Sequence, residues 1–321
     1  MSLFPDLDDE KPPQAARLAP RLAALADRGI CFGTSSWKYE GWLGSIYDAA
    51  RYGARGKFSR KKFEETCLTA YAETFPTVCG DFAFYQFPSE AHWGRLFGQT
   101  PERFTFAFKV PEEITVATWP THARYGTRAG RENANFLDAG VFDRFFARRL
   151  EPYKGRVATL IFEFGTFPKR TFATPGDFME ALAPFLAALP EGFRYSVEIR
   201  NPDYLRPDYF HLLSSHNTAH VFNAWTRMPS LQEQVQLPDA DTADFTVVRA
   251  LLRRGRTYEQ AVKTFEPYRT VQEPNEGARE AMRRVAERSR QARKPAFLFV
   301  NNRLEGHAPG TIEAVVGMLA V

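Results

Sequence analysis

Short apolar runs recur all along this chain, and each ends abruptly in a polar or charged residue. The last is the plainest: Phe297-Leu298-Phe299-Val300 stops at Asn301-Asn302, and a Gly306-His307-Ala308-Pro309 loop follows. Runs of this length, rich in Phe and Val, read as strands buried on both faces. The pattern predicts eight of them: 30–34, 77–82, 104–109, 157–162, 193–199, 219–222, 244–248 and 296–300. Between them, apolar positions spaced at helical intervals predict helices at 61–75, after Ser89 through Phe97, 136–150, 175–189, 208–215, 275–293 and 311–319. Ser59, Ser89 and Thr174 stand where N-caps belong. Ahead of the first strand, Leu18, Leu22 and Leu25 give one apolar face to a helix over 15–26, with residues 1–13 as a loose tail. The stretch 114–135 has no periodicity and reads as a long loop.

Eight strands mostly alternating with helices predict an α/β protein, a single (β/α)8 TIM barrel. The expected boundaries are a tail and helix over 1–28 and a barrel domain over 29–321. A doubly wound sheet is the competing arrangement, but no Gly-rich dinucleotide fingerprint follows the first strand.

Chemistry in a barrel of this kind gathers at the C-terminal ends of the strands. Taken in order, those ends supply Trp37, Asp81 with Tyr85, Lys109, Glu163, Glu198 with Arg200, Asn223, Arg249, and Asn301-Asn302. Three cations would therefore face three carboxylates, and buried charges persist only when paired. Residues two apart on a strand share a face, so Glu198 and Arg200 point the same way, into the mouth. That pair reads equally as ligand-holding or as an ion pair closing the barrel top. As an active site, the set assigns Glu198, Glu163 and Lys109 to catalysis. Trp37, Asp81, Tyr85, Arg200, Asn223, Arg249, Asn301 and Asn302 then bind a small polar or anionic substrate, sugar-like or phosphorylated.

Composition changes this picture little. The 321 residues carry 42 basic and 38 acidic side chains, a net charge of +4 that gives little support for a nucleic-acid partner. Three cysteines without a spaced framework fit a reducing cytoplasm. No apolar stretch suits a signal peptide or a membrane span. His211, His216 and His220 are not spaced to meet at one metal, and Cys79 reads as a core filler rather than a nucleophile. The arginines from 283 to 293 read as a solvated helix face. No cofactor is expected; Mg²⁺ held by Asp81, Glu163 and Glu198 is the minority reading.

Several segments together resemble the DUF72 (YecE-like) family of uncharacterised TIM-barrel proteins. They are Gly33-Thr34-Ser35-Ser36-Trp37-Lys38-Tyr39 with Trp42, Phe84-Tyr85 with Pro88-Ser89, and Thr100-Pro101 before Phe104-Thr105-Phe106-Ala107-Phe108-Lys109-Val110-Pro111. Glu198-Ile199-Arg200 and Asn301-Asn302 with Gly306-His307-Ala308-Pro309 complete the match. The resemblance implies a barrel with a site at its C-terminal mouth and no established reaction. The chain departs from the family pattern at Val78-Cys79-Gly80-Asp81, at Val116 after Ile114-Thr115, at Glu163, and at Arg249-Ala250-Leu251-Leu252. These departures remove a carboxylate and two histidines while adding Asp81 and Glu163. A metal-dependent phosphodiesterase or nuclease and a non-catalytic ligand-binding barrel are the alternative functions.

Overall fold

A computed structural model describes residues 13–54 and 57–320. Its centre is a closed barrel of eight parallel strands: β1 (Ile30–Thr34), β2 (Thr77–Gly80), β3 (Thr105–Lys109), β4 (Val157–Glu163), β5 (Tyr195–Glu198), β6 (Ala219–Ala224), β7 (Thr246–Ala250) and β8 (Ala296–Val300). Each strand pairs with its chain neighbours, and β8 closes on β1 in register from Ile30↔Ala296 to Thr34↔Val300. A short two-stranded ribbon, Gly53–Ala54 with Lys57–Phe58, lies outside the barrel.

The strands are buried on both faces, as parallel strands between helices and a barrel interior must be. Outward residues such as Phe32, Phe108, Phe162 and Val248 join the helical layer in one large apolar cluster. Inward residues form a second cluster that includes Cys79, Ala107, Ile161, Val221, Val247 and Phe299. Gly33 is required where β1 meets β2, because a Cβ there would lie 2.1 Å from the Thr77 carbonyl oxygen.

Helix α1 (Gln14–Ala26) buries Leu18, Leu22 and Leu25, as the spacing predicts. Arg17 and Gln14 reach Glu313 on the helix Ala308–Gly317, tying α1 to that helix. Helices α2 (Arg60–Ala72) and α3 (Glu90–Gly98) begin at the expected caps, with Ser59 accepting from Lys62 N–H and Ser89 from His92 N–H. The Thr174 cap holds as a reciprocal capping box with Asp177.

Some boundaries move. The helix expected from residue 136 begins at Ala139, because Leu137 takes a positive φ and Asp138 caps Val141. It then runs through a π-helical turn over Asp143–Ala147. Strand β2 stops at Gly80, and Phe82–Tyr85 turns into a 3₁₀ segment. Strand β7 runs two residues later than expected, which puts Arg249 inside the ladder rather than beyond it. The expected loop at 114–135 holds two short helical turns, Glu112–Thr115 and Ala123–Arg128. Residues 1–12 of the expected tail lie outside the described residues.

Candidate functional site

The mouth is built by side-chain parity. Cys79, Ala107, Ile161, Val221, Val247 and Phe299 fill the barrel interior. Two residues further along the same strands stand Asp81, Lys109, Glu163, Asn223, Arg249 and Asn301, on the same inward face. The seventh member, Glu198, follows Ser196 in the same way. A two-residue step along each strand thus turns an apolar interior layer into a ring of charges and amides.

Glu163 and Glu198 are register partners on β4 and β5, so two carboxylates lie side by side. Their repulsion is offset by cations from other strands. Arg249, reaching across from β7, donates through Nη1 to both. Its Nη2 donates to Asp81 Oδ1 at 3.3 Å. Arg200 Nη2 lies 3.1 Å from Glu163 Oε2 and in ion-pair contact with Glu198 Oε1. Lys109 Nζ lies 3.1 Å from Glu163 Oε1 and 3.8 Å from the centre of the Phe84 ring. The Arg200 guanidinium stacks 3.9 Å from the centre of the Trp225 ring, a cation–π contact that fixes its plane.

Three cations and three carboxylates thus share one network. Burial by itself would push the Glu163 carboxyl up, but Lys109, Arg200 and Arg249 outweigh it and hold the group well below the ordinary carboxylate range. Burial likewise opposes the Arg249 charge, yet Glu198, Glu163 and Asp81 keep it firmly protonated. Glu163 therefore stays ionised at neutral pH. The cavity above this network holds about 340 Å³ and is lined by Asp81, Glu163, Lys109, Arg200, Arg249 and Asn301, with Tyr85 at its rim.

Other expected residues sit elsewhere. Glu198, expected as an acid/base group, is fully buried beneath the cavity and does not line it, because two arginines cover it. Asn223 is also fully buried; its Nδ2 donates to the Ile199 and Val221 carbonyls, so it braces the β5–β6 edge. Asn302 accepts from Ala308 N–H and anchors the last helix rather than facing the cavity. Trp37 lines a neighbouring groove instead of the mouth.

The cavity also uses residues that sequence reasoning left out of the site. Ser35, Ser36, Tyr39, Trp225, Tyr258 and Arg303 complete its wall. Ser35, Ser36 and Trp225 stand at strand ends already marked as candidates. Tyr258 and Arg303 carry no such signal; Arg303, in the turn after β8, packs its guanidinium 4.4 Å from the ring centre of Tyr258, the first residue of the helix Tyr258–Phe265.

Among the described residues no group of three or more His, Cys, Asp or Glu side chains is placed to hold a metal ion. Asp81, Glu163 and Glu198, the expected Mg²⁺ set, already have guanidinium and ammonium groups between them, where a cation would have to sit. His220 instead packs outside the barrel with its Nδ1 3.4 Å from the Tyr209 hydroxyl, and burial lowers its pKa to about 3. Cys79 lies inside the barrel, where burial pushes its thiol up to about 12, far from a reactive thiolate. No helix of the described residues is long and apolar enough to cross a membrane.

No curated protein matches the chain. Among solved structures, a DUF72 family protein from Enterococcus faecalis is similar with a TM-score of 0.58 at 15% identity, over 91% of this chain and 96% of that one. Another from Thermotoga maritima aligns with a TM-score of 0.57 at 19% identity, over 89% of this chain and 96% of the other. At such identities the likeness speaks for the fold alone, and it agrees with the eight-stranded barrel. The sequence model described as "Protein of unknown function DUF72" matches residues 31–321, and the chain belongs to that family.

Proposed function

We propose that the barrel mouth binds a small polar anion, sugar-like or phosphorylated, and acts on it as an enzyme. The observation that carries this reading is Arg200. It is 5% exposed, it lines the cavity, and its Nη1 has no hydrogen-bond partner among the described residues. A buried guanidinium donor without an acceptor costs free energy unless a ligand supplies one. An anionic oxygen is the acceptor a guanidinium matches best. The hydroxyls of Ser35, Ser36, Tyr39 and Tyr258 suit the hydroxyl groups of a sugar, and Trp225 offers a flat wall.

Exposure selects the reacting carboxylate. Glu163 is held ionised by three cations, which makes it a poor proton donor and a weak base. Glu198 cannot touch a substrate. Asp81 is the carboxylate with room: its side chain is 42% exposed against 16% for Glu163, and one oxygen meets Arg249 at 3.3 Å. In this reading Asp81 exchanges a proton with the substrate, Lys109 and Arg200 hold the anionic group, and Glu163 with Glu198 positions the arginines. The mechanism fits hydrolysis and isomerisation alike.

The non-catalytic alternative draws on the same pairing, since a network so fully neutralised can serve binding alone. One pair of variants separates the two. Asp81→Asn keeps the shape of the site, so it retains anion affinity in both readings and abolishes turnover of a sugar-phosphate panel only if the site is catalytic. Arg200→Gln must weaken anion binding at least tenfold, measured by calorimetric titration. Undiminished binding in Arg200→Gln contradicts the proposal.

A further inference from the structure

A larger groove adjoins the mouth. It holds about 710 Å³, twice the mouth cavity, and runs between α2 and α3. Ser35, Ser36 and Asp81 line both spaces, so the two meet at a shared wall in which Asp81 is the exposed member. The character of the lining changes along the way. At the mouth it is mostly charged; the groove adds an apolar and aromatic part, Trp37, Leu68, Phe82, His92 and Leu96.

Three aromatic rings form one wall. Trp37 meets Phe82 edge-on at 6.2 Å, and Phe82 meets His92 at 5.0 Å. Gly80 makes this possible: a Cβ there would lie 2.6 Å from the Phe82 ring, so only a residue without a side chain lets that ring lie against β2. Two polar atoms along the path lack partners among the described residues. Ser35 Oγ, on a residue 1% exposed, stands at the junction of the two spaces. His92 Nε2 is buried in the groove wall. Burial, with Arg95 and Lys38 nearby, lowers the His92 pKa, so its ring is neutral and one nitrogen can accept a hydrogen bond. The groove also carries Lys38 and Arg95 against Glu64 and Glu65, a balance that selects neither an acidic nor a basic chain.

We propose that this groove is a second subsite for the mouth's own ligand, and that it takes a planar aromatic or heterocyclic group joined to the anionic head. The substrate class is then an aryl- or heterocycle-substituted sugar or phosphate rather than a bare sugar phosphate. The inference rests on the anion-binding reading of the mouth. An aromatic wall gives a flat ring favourable edge and face contacts. The unpartnered Ser35 hydroxyl would meet the linking atom, and His92 a ring donor.

The test compares phenyl phosphate with inorganic phosphate by calorimetric titration of the full-length protein, with acetate and phenylacetate as a carboxylate pair. The expected result is that the phenyl ring improves affinity at least tenfold in one of the pairs. In His92→Ala that ratio falls below threefold. Leu96→Phe, whose larger side chain fills part of the groove, must lower the same ratio, so the test survives if one variant fails to fold. If the bare anion binds but the ring adds less than threefold, or if the gain persists in both variants, the groove subsite is refuted while the mouth reading stands. If neither the bare nor the ring-bearing anion binds, the mouth reading falls, and this inference with it.

Discussion

Glu198 is at once the most deeply buried charge of the network and one that no ligand can reach. Its carboxylate is shared between Arg200 and Arg249, which themselves are 5% and 1% exposed. Glu198→Gln keeps the shape but leaves two buried guanidinium groups short of countercharge. Breaking a buried pair in this way costs about 3–5 kcal/mol, and thermal or denaturant unfolding of the variant reads it. Anion affinity falls as well, because Arg200 loses the partner that aims it. A variant as stable as the parent would show that the pair contributes nothing to the fold. Glu163 makes a pH prediction. Its folded pKa lies well below the unperturbed 4.5, so its ionised form is favoured by folding. That contribution is complete above about pH 4.5 and is lost as the pH falls from there toward the folded value. Stability measured from pH 7 downward should therefore hold until about pH 4.5 and then drop, with a shallower drop in Glu163→Gln. An equal slope in both proteins would contradict the assignment.

At the scale of elements, the ends of the barrel were readable because its strands are short, apolar and abruptly terminated. Ile30–Thr34 and Ala296–Val300 coincide with the runs that predicted them. The run at 244–248 was misplaced by two residues because Arg249 looked like a strand terminator, whereas a barrel mouth tolerates a charge inside the ladder once Glu163, Glu198 and Asp81 face it. Helix Tyr258–Phe265 lies outside the predicted elements although Thr257 and Gln260 form a capping box and Tyr258, Ala261, Val262 and Phe265 fall at helical spacing; its eight residues make a short run inside the long connection between β7 and β8. The candidate site was legible by residue type and not by depth. The strand-end reading named Asp81, Lys109, Glu163, Arg249 and Asn301, and these line the cavity, but which of two neighbouring glutamates lies above the other depends on packing across the barrel. Gly33 supplies the element-scale test. Gly33→Ala drives a Cβ into the Thr77 carbonyl and should cost about 3 kcal/mol or more by overpacking the β1–β2 contact. An alanine variant with unchanged unfolding midpoint would show that the strands can separate at no cost.

The whole molecule is a barrel whose start and finish are clamped together. Helix α1 precedes β1 and packs against the final helix, so the segment outside the family match is still part of the packed body. Leu22 is fully buried there, and Leu22→Ala should cost about 2–5 kcal/mol. A cost near zero would mean that α1 is an appendage. At this scale the site explains the fold's layout: the ends of β2, β3, β4, β5 and β7 deliver their side chains to a single charged network, with two of them, Glu198 and Arg200, from β5. Two of its carboxylates, Asp81 and Glu163, line the cavity, and both are engaged by Arg249. In the proposed function this layer receives an anion at Arg200. A crystal structure of the protein soaked with a sugar phosphate tests it most directly. The expected result is density for the anionic group about 3 Å from Arg200 Nη1, inside the mouth and beside Asp81. An anion bound elsewhere with the mouth empty, under conditions where calorimetry shows saturation, would contradict it.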